Sequence, residues 1–202
     1  MSVWHGVQPL LLASQSRVRW MLLANAGILS EAIPADIDER AIQKQSGLQQ
    51  PAEVATLLAL EKARAVAHKY PDRMVLGADQ TLALGDRLFD KPAGRLEAAA
   101  QLRALGDNTH ELHSAFALID RGKVLDQRVS AARMTMRPLT DQAIENYLDA
   151  AGAAVTTSVG AYQLEGLGVH LFERVEGDHF TILGLPLLLL LPILRDNGLI
   201  EI

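Results

Sequence analysis

Short apolar runs of strand length alternate with longer stretches whose apolar positions recur at helical spacing. This alternation predicts an α/β protein with at least part of its sheet parallel. Leu10-Leu11-Leu12-Ala13 reads as a buried first strand, followed by a helix over residues 20–26 that Gly27 ends in a left-handed turn. Pro51 opens a long helix over 52–70, with Val54, Leu57, Leu58 and Leu60 on one apolar side. Residues 74–81 form a second buried strand, which passes through Gly77-Ala78 and delivers a lone carboxylate, Asp79. The Gly85-Asp86 turn then doubles the chain back as a hairpin, and Lys91, pinned by Pro92, is expected to return near Asp79.

Further along, residues 94–105 make an alanine-rich helix ended by Gly106, and residues 110–119 and 124–136 make two antiparallel strands about Asp120-Arg121-Gly122-Lys123. His110 and His113 fall on opposite faces of their strand, which argues against a metal pair. Thr140 caps a short helix to Leu148, a small-residue linker spans 150–158, and a strand spans 169–175. Residues 34–40 read as extended and acidic, and 43–50 as a polar, mobile loop. The apolar run over 182–194 is interrupted by Gly184, Pro186 and Pro192. It falls short of the roughly 18 residues that a membrane span needs, so it reads as a buried terminal helix.

With 202 residues, 49% of them hydrophobic, the chain can bury one sizeable core, and a single domain over 1–202 is expected. The net charge of −5 gives no general attraction to nucleic acid or an anionic membrane, so bound phosphate would need a local basic cluster. Cysteine is absent, which excludes disulfides, thiolate catalysis and cysteine-ligated metal and is compatible with a reducing cytoplasm. Residues 1–9 carry no basic n-region, and no export signal is expected.

Several segments carry candidate chemistry, each beside a plainer reading. Ser14-Gln15-Ser16-Arg17-Val18-Arg19, at a strand-to-helix junction, is either an anion site or an ordinary cap with two solvated arginines. Asp36, Asp38 and Glu39 include a metal ligand or simply solvate the surface. Lys62 reads as a solvated helix residue on its pattern alone. Asp79 with Lys91 is a metal and phosphate site or a surface ion pair. Gly160, Gly166 and Gly168 lack dinucleotide spacing, yet they allow a backbone to approach a flat ligand while Glu165 accepts from a base edge.

Taken together and in order, these segments resemble the Maf-like nucleoside triphosphate pyrophosphatases. The match runs through Leu12-Ala13-Ser14-Gln15-Ser16 with Arg19, Asp38-Glu39, Glu61-Lys62-Ala63 and Gly77-Ala78-Asp79-Gln80. It continues through Asp90-Lys91-Pro92, Thr109-His110-Glu111, Gly160-Ala161-Tyr162, Glu165-Gly166-Leu167-Gly168 and Gly184-Leu185-Pro186. The resemblance implies a mixed, twisted sheet with flanking helices, two lobes around a deep cleft as in Maf and ITPase-like folds, and a homodimer. It also implies hydrolysis of a nucleoside triphosphate to the monophosphate and pyrophosphate with a divalent cation, Mg²⁺ or Mn²⁺; a cytoplasmic protein with no nucleic-acid or membrane partner is expected from the charge, the lack of cysteine and the lack of an export signal. Carried onto this chain, Arg19, Lys62 and Lys91 would hold the triphosphate with Ser14 and Ser16. Glu39 and Asp79 would hold the metal, and Asp79 would also accept a proton from the attacking water.

Two departures from the family pattern bear on substrate. The usual Ser-Pro-Arg-Arg is Ser16-Arg17-Val18-Arg19 here, so an arginine contact is missing at Val18 unless Arg17 replaces it. Gln80 and Glu165 stand where the dTTP- and UTP-cleaving branch carries Thr and Gln, and the chain is more similar to the branch acting on 7-methyl-GTP. A carboxylate pairs with the donor edge of a guanine, so a guanine-type nucleotide is the expected substrate. The alternatives are a dTTP or UTP pyrophosphatase, a nucleotide-binding regulator of division or growth with little catalysis, and a general phosphatase.

Overall fold

A computed structural model describes residues 3–202. In chain order the elements are β1 (Leu10–Ala13), α1 (Arg17–Asn25), β2 (Ser30–Ala32), α2 (Glu39–Ser46), α3 (Pro51–Lys69), β3 (Met74–Leu84), β4 (Arg87–Phe89), α4 (Arg95–Leu105), β5 (Thr109–Asp120), β6 (Lys123–Met136), α5 (Asp141–Ala151), β7 (Phe172–Glu176), α6 (His179–Ile182) and α7 (Leu187–Asp196). The strands form a mixed, open sheet in the order β2-β1-β3-β5-β6-β7, with β4 paired to β3. The chain divides into two compact units. The first holds the chain up to Gln80, His113–Ser130 and His179–Ile202, and the second holds Thr81–Leu112 and Ala131–Asp178.

The first unit carries the parallel part of the sheet. β1 is buried along its whole length and pairs in parallel with β2 and with β3, Leu11 opposite Val75 and Ala13 opposite Gly77. Parallel strands are covered on both faces, which is why these runs are continuously apolar. On one face Leu10, Leu12, Leu76, Phe116 and Leu118 pack with Leu22 and Leu23 of α1 and Leu187, Leu190 and Leu194 of α7. On the other, Leu11, Ala13, Val75, Ala117 and Ile119 pack with Ala63, Val66 and Ala67 of α3. The two sets alternate along each strand, as the period of two requires.

Local capping explains where this unit departs from the predicted boundaries. Ser16 accepts a hydrogen bond from Arg19 N at 3.3 Å, so α1 begins at Arg17 and the whole Arg17-Val18-Arg19 segment is helical. The first half of the expected loop over 43–50 is instead the end of helix α2, which is capped by Asp38, accepting from Ala41 N at 3.0 Å, and closed by Gly47 at φ 70°. That helix has no buried residue and only two apolar ones, Ala41 and Ile42, too few to mark a helical stripe in a Gln-rich sequence. The β5–β6 hairpin turns as predicted at Arg121 and Gly122, both with positive φ.

In the second unit the ends of β3, β5 and β6 continue with the short strands. Leu82 stands opposite Phe89 in the predicted hairpin, and Met134 opposite Val175. The predicted linker over 150–158 contains a 3-10 turn at Gly152–Thr156, and a further turn at Leu167–Leu171 delays β7 to Phe172. α7 is ten residues long, and no helix among the described residues is long and apolar enough to cross a membrane.

Candidate active site

The site in the first unit is built where β3 meets α3. Gly77 makes the close approach possible: a Cβ there would clash with the Ala59 carbonyl and lie 2.7 Å from Ala63 N. Helix and strand therefore touch backbone to backbone, and Lys62, the residue before Ala63, is brought over the middle of β3, which runs on past the predicted end at residue 81 to Leu84. Its Nζ lies 2.5 Å from Asp79 Oδ1 and 2.9 Å from Glu39 Oε1. The lysine side chain is only 11% exposed, whereas its helical pattern had predicted a solvated residue. Asp79 is buried and Glu39, the first residue of α2, is half exposed.

Arg19 forms the second basic element. Its Nε donates to the Gly184 carbonyl at 2.7 Å, and its Nη1 donates to the Ala78 carbonyl at 2.9 Å and to Ser14 Oγ at 3.2 Å. Gly184 adopts φ 92°, and a Cβ there would come within 3.1 Å of Arg19 Nε, so the residue must be small and left-handed. Nη2 makes no hydrogen bond among the described residues. Three bonds thus fix the guanidinium and leave one fork tip available.

Electrostatics follow from this burial. Burial raises the Asp79 carboxyl above its usual range, against the pull of Lys62 and Arg19. Burial lowers the Arg19 guanidinium, with Asp79 and Glu39 acting in the opposite direction, and an arginine has margin enough to stay charged. Two carboxylates converging on one ammonium define a locus for positive charge, and their oxygens are the donor type that hard divalent cations take.

Ser14 is buried beneath Arg19 and also accepts from Ser16 N at 3.2 Å. Arg17 is exposed and Val18 partly buried in the first turn of α1. Gln80 is held from within: its Nε2 donates to Ser114 Oγ at 2.9 Å and to the carbonyls of Ile182 and Thr181 at 2.9 and 3.2 Å. Ser114, fully buried on β5, donates in turn to the Thr181 carbonyl at 2.6 Å. Two of these acceptors are carbonyls, so the amide nitrogen must face them.

Lys91 and Glu165 belong to the second unit. Lys91 is exposed just beyond β4, and Glu165 is exposed in the segment between Tyr162 and the Leu167–Leu171 turn. Sequence reasoning did not find Ser114, Thr181 or the Ala78 carbonyl. A serine inside the apolar β5 run was the only signal available for any of them.

Comparison with known proteins gives a consistent result. A family model described as Maf-like protein matches residues 9–197. The chain is 62% identical over 202 residues, the full length of both chains, to a nucleoside triphosphate pyrophosphatase of Bradyrhizobium diazoefficiens. It is 59% identical over the same full span to a nucleoside triphosphate pyrophosphatase of Nitrobacter winogradskyi. It is also 51% identical over 195 residues, 95% of this chain and 98% of the other, to a 7-methyl-GTP pyrophosphatase of Rhizobium etli.

Proposed function

The chain belongs to the Maf-like protein family, and we propose that it cleaves the anhydride between the α- and β-phosphates of a nucleoside triphosphate, releasing monophosphate and pyrophosphate. As a nucleoside triphosphate pyrophosphatase it is a hydrolase acting on acid anhydrides. The observation that carries the assignment of residues is the convergence of Asp79 and Glu39 on Lys62, beside an Arg19 anchored by three hydrogen bonds.

In this reading Arg19 offers Nη2 to the triphosphate, Lys62 and Lys91 neutralise its charge, and Ser14 and Ser16 shape the floor beneath it. Such a reaction depends mainly on positioning and on charge compensation, which preset donors supply without reorganisation. Asp79 accepts the proton of the attacking water, a role open to a buried carboxylate beside the reacting groups. Asp79 and Glu39 would also hold a divalent cation, Mg²⁺ or Mn²⁺, which when bound lowers the pKa of coordinated water and offsets phosphate charge. Resemblance to the family supports a homodimer working in the cytoplasm, with the dimer read from mass in light scattering.

Base preference follows from Gln80 and Glu165. With its Nε2 committed inward, Gln80 can offer only its amide oxygen, and Glu165 is likewise an acceptor. Two acceptors suit the N1 hydrogen and amino group of a guanine, and Val18 adds an apolar contact. Likeness to a protein named 7-methyl-GTP pyrophosphatase supports the same substrate class. The test is pyrophosphate release across GTP, 7-methyl-GTP, dTTP and UTP, with Mg²⁺, with Mn²⁺ and with chelator. Guanine nucleotides are expected to lead and chelator to stop turnover. A lead for dTTP or UTP sinks the base assignment, and turnover in chelator sinks the metal.

A further inference from the structure

The inward face of α4 is apolar, with Ala98, Ala99, Leu102 and Leu105 buried, yet Gln101 sits among them at 4% exposed. A primary amide in such a place is unfavourable unless both of its ends are hydrogen-bonded. Both are. Nε2 donates to the Asp90 carbonyl at 2.9 Å, and Oε1 accepts from Gly160 N at 3.1 Å. A backbone carbonyl only accepts and a backbone N–H only donates, so the amide has a single orientation.

The two partners lie in different segments of the second unit, 11 and 59 residues from Gln101 in sequence. The Asp90 carbonyl is part of the peptide group that joins Asp90 to Lys91. Gly160 opens the turn that runs through Ala161 and Tyr162 toward Glu165. That turn is held in an unusual conformation: Gly160 has φ 78° and Ala161, a residue with a Cβ, has φ 62°. Its other supports are side chains too. The Tyr147 hydroxyl donates to the Ala161 carbonyl at 3.1 Å, and the Ser158 hydroxyl donates to the Tyr162 carbonyl at 2.6 Å. Helix packing alone would be served by a methionine of the same shape, so the amide is explained by the two backbone groups it joins.

We propose that Gln101 is a positioning residue for nucleotide recognition, one amide setting both the segment that carries Lys91 and the turn that leads to Glu165. The inference rests on the roles given above to Lys91 and Glu165. Its two ends are separable by substitution. Gln101→Met keeps the shape and removes both bonds. Gln101→Glu keeps an acceptor for Gly160 N–H and sets a carboxylate oxygen against the Asp90 carbonyl.

The experiment measures kcat and KM for pyrophosphate release from GTP, 7-methyl-GTP and UTP, with a thermal melt of each variant. Gln101→Met is expected to lower kcat/KM for the best substrate by about 10- to 100-fold, mainly through KM, and to narrow the guanine-over-uracil ratio. Gln101→Glu is expected to raise KM for all three nucleotides alike and keep the ratio, because only the Lys91 segment is released. Folded variants with KM and base ratio within about twofold of wild type overturn the proposal, even if their melting points fall, since Gln101 is then structural only. Should the methionine variant not fold, the glutamate variant decides by the same criteria. A wild-type protein that releases pyrophosphate from none of the nucleotides refutes the underlying functional reading and this inference with it. An active wild type with unaltered variants refutes the inference alone.

Discussion

Replacing Gly77 by alanine tests how the site is assembled. The added Cβ clashes with the Ala59 carbonyl and lies 2.7 Å from Ala63 N, where ordinary contact begins near 3.4 Å. Both obstacles are helix backbone, so α3 itself must retreat from β3, by about 1 Å in a core that is packed as densely as a crystal. Overpacking of this kind costs about 1–3 kcal/mol. For a chain of this size that corresponds to a fall in melting temperature of roughly 2–12 °C. The same retreat stretches the 2.5 Å contact between Lys62 and Asp79 to the edge of hydrogen-bond reach. A misplacement of about 1 Å at a reacting centre can cost on the order of 100-fold in turnover. Gly94→Ala is the control, because a Cβ there meets nothing within 4 Å. Differential scanning fluorimetry and pyrophosphate release read the two effects. A Gly77→Ala protein with the melting point and turnover of the Gly94→Ala control would refute the view that close helix–strand contact places Lys62.

Three further outcomes follow from named contacts. Burial pushes His110 down to about 4 from its ordinary 6.5, so its neutral form is favoured on folding. Its stabilising contribution is complete above about pH 6.5 and is lost as pH falls toward 4, a total of about 3 kcal/mol. Denaturant midpoints at several pH values are therefore expected to fall more steeply in wild type than in His110→Gln, and equal slopes would contradict this. Ser114→Ala removes two buried hydrogen bonds while Gln80 Nε2 keeps the Ile182 and Thr181 carbonyls, and is expected to cost about 0.5–1.5 kcal/mol in urea unfolding and to blunt base preference. An unchanged base ratio would separate the buried serine from recognition. Lys62→Met leaves the buried Asp79 carboxylate without its ammonium and is expected to lower kcat/KM by about 100-fold or more. A loss below about threefold would remove Lys62 from the charge-compensating set.

Much of the fold was legible because its core strands are continuous apolar runs and its turns carry Gly and Pro at demanding positions. Asp79 stood out for the same reason, as a lone carboxylate at the end of such a run. Lys62 stood out only through the resemblance carried by Glu61-Lys62-Ala63, because helical periodicity assigns it to solvent and what draws it inward is a tertiary contact at Gly77. The anchors of Arg19 were equally hidden, since two of the three are backbone carbonyls, Ala78 and Gly184, and a carbonyl has no residue signature. α2 escaped detection because it buries nothing, and Gln101 because a single amide does not disturb an alanine-rich helical pattern.

Asp79 is the proposed proton acceptor in pyrophosphate-releasing hydrolysis. Its most direct test is product identification by phosphorus NMR for wild type and Asp79→Asn on the same guanine nucleotide, with binding measured in parallel by calorimetry. Wild type is expected to yield monophosphate and pyrophosphate, and Asp79→Asn to bind the nucleotide with turnover lowered by about 1,000-fold or more. Orthophosphate as the first product would exclude pyrophosphate release, and near-wild-type turnover in Asp79→Asn would exclude Asp79 as the proton acceptor.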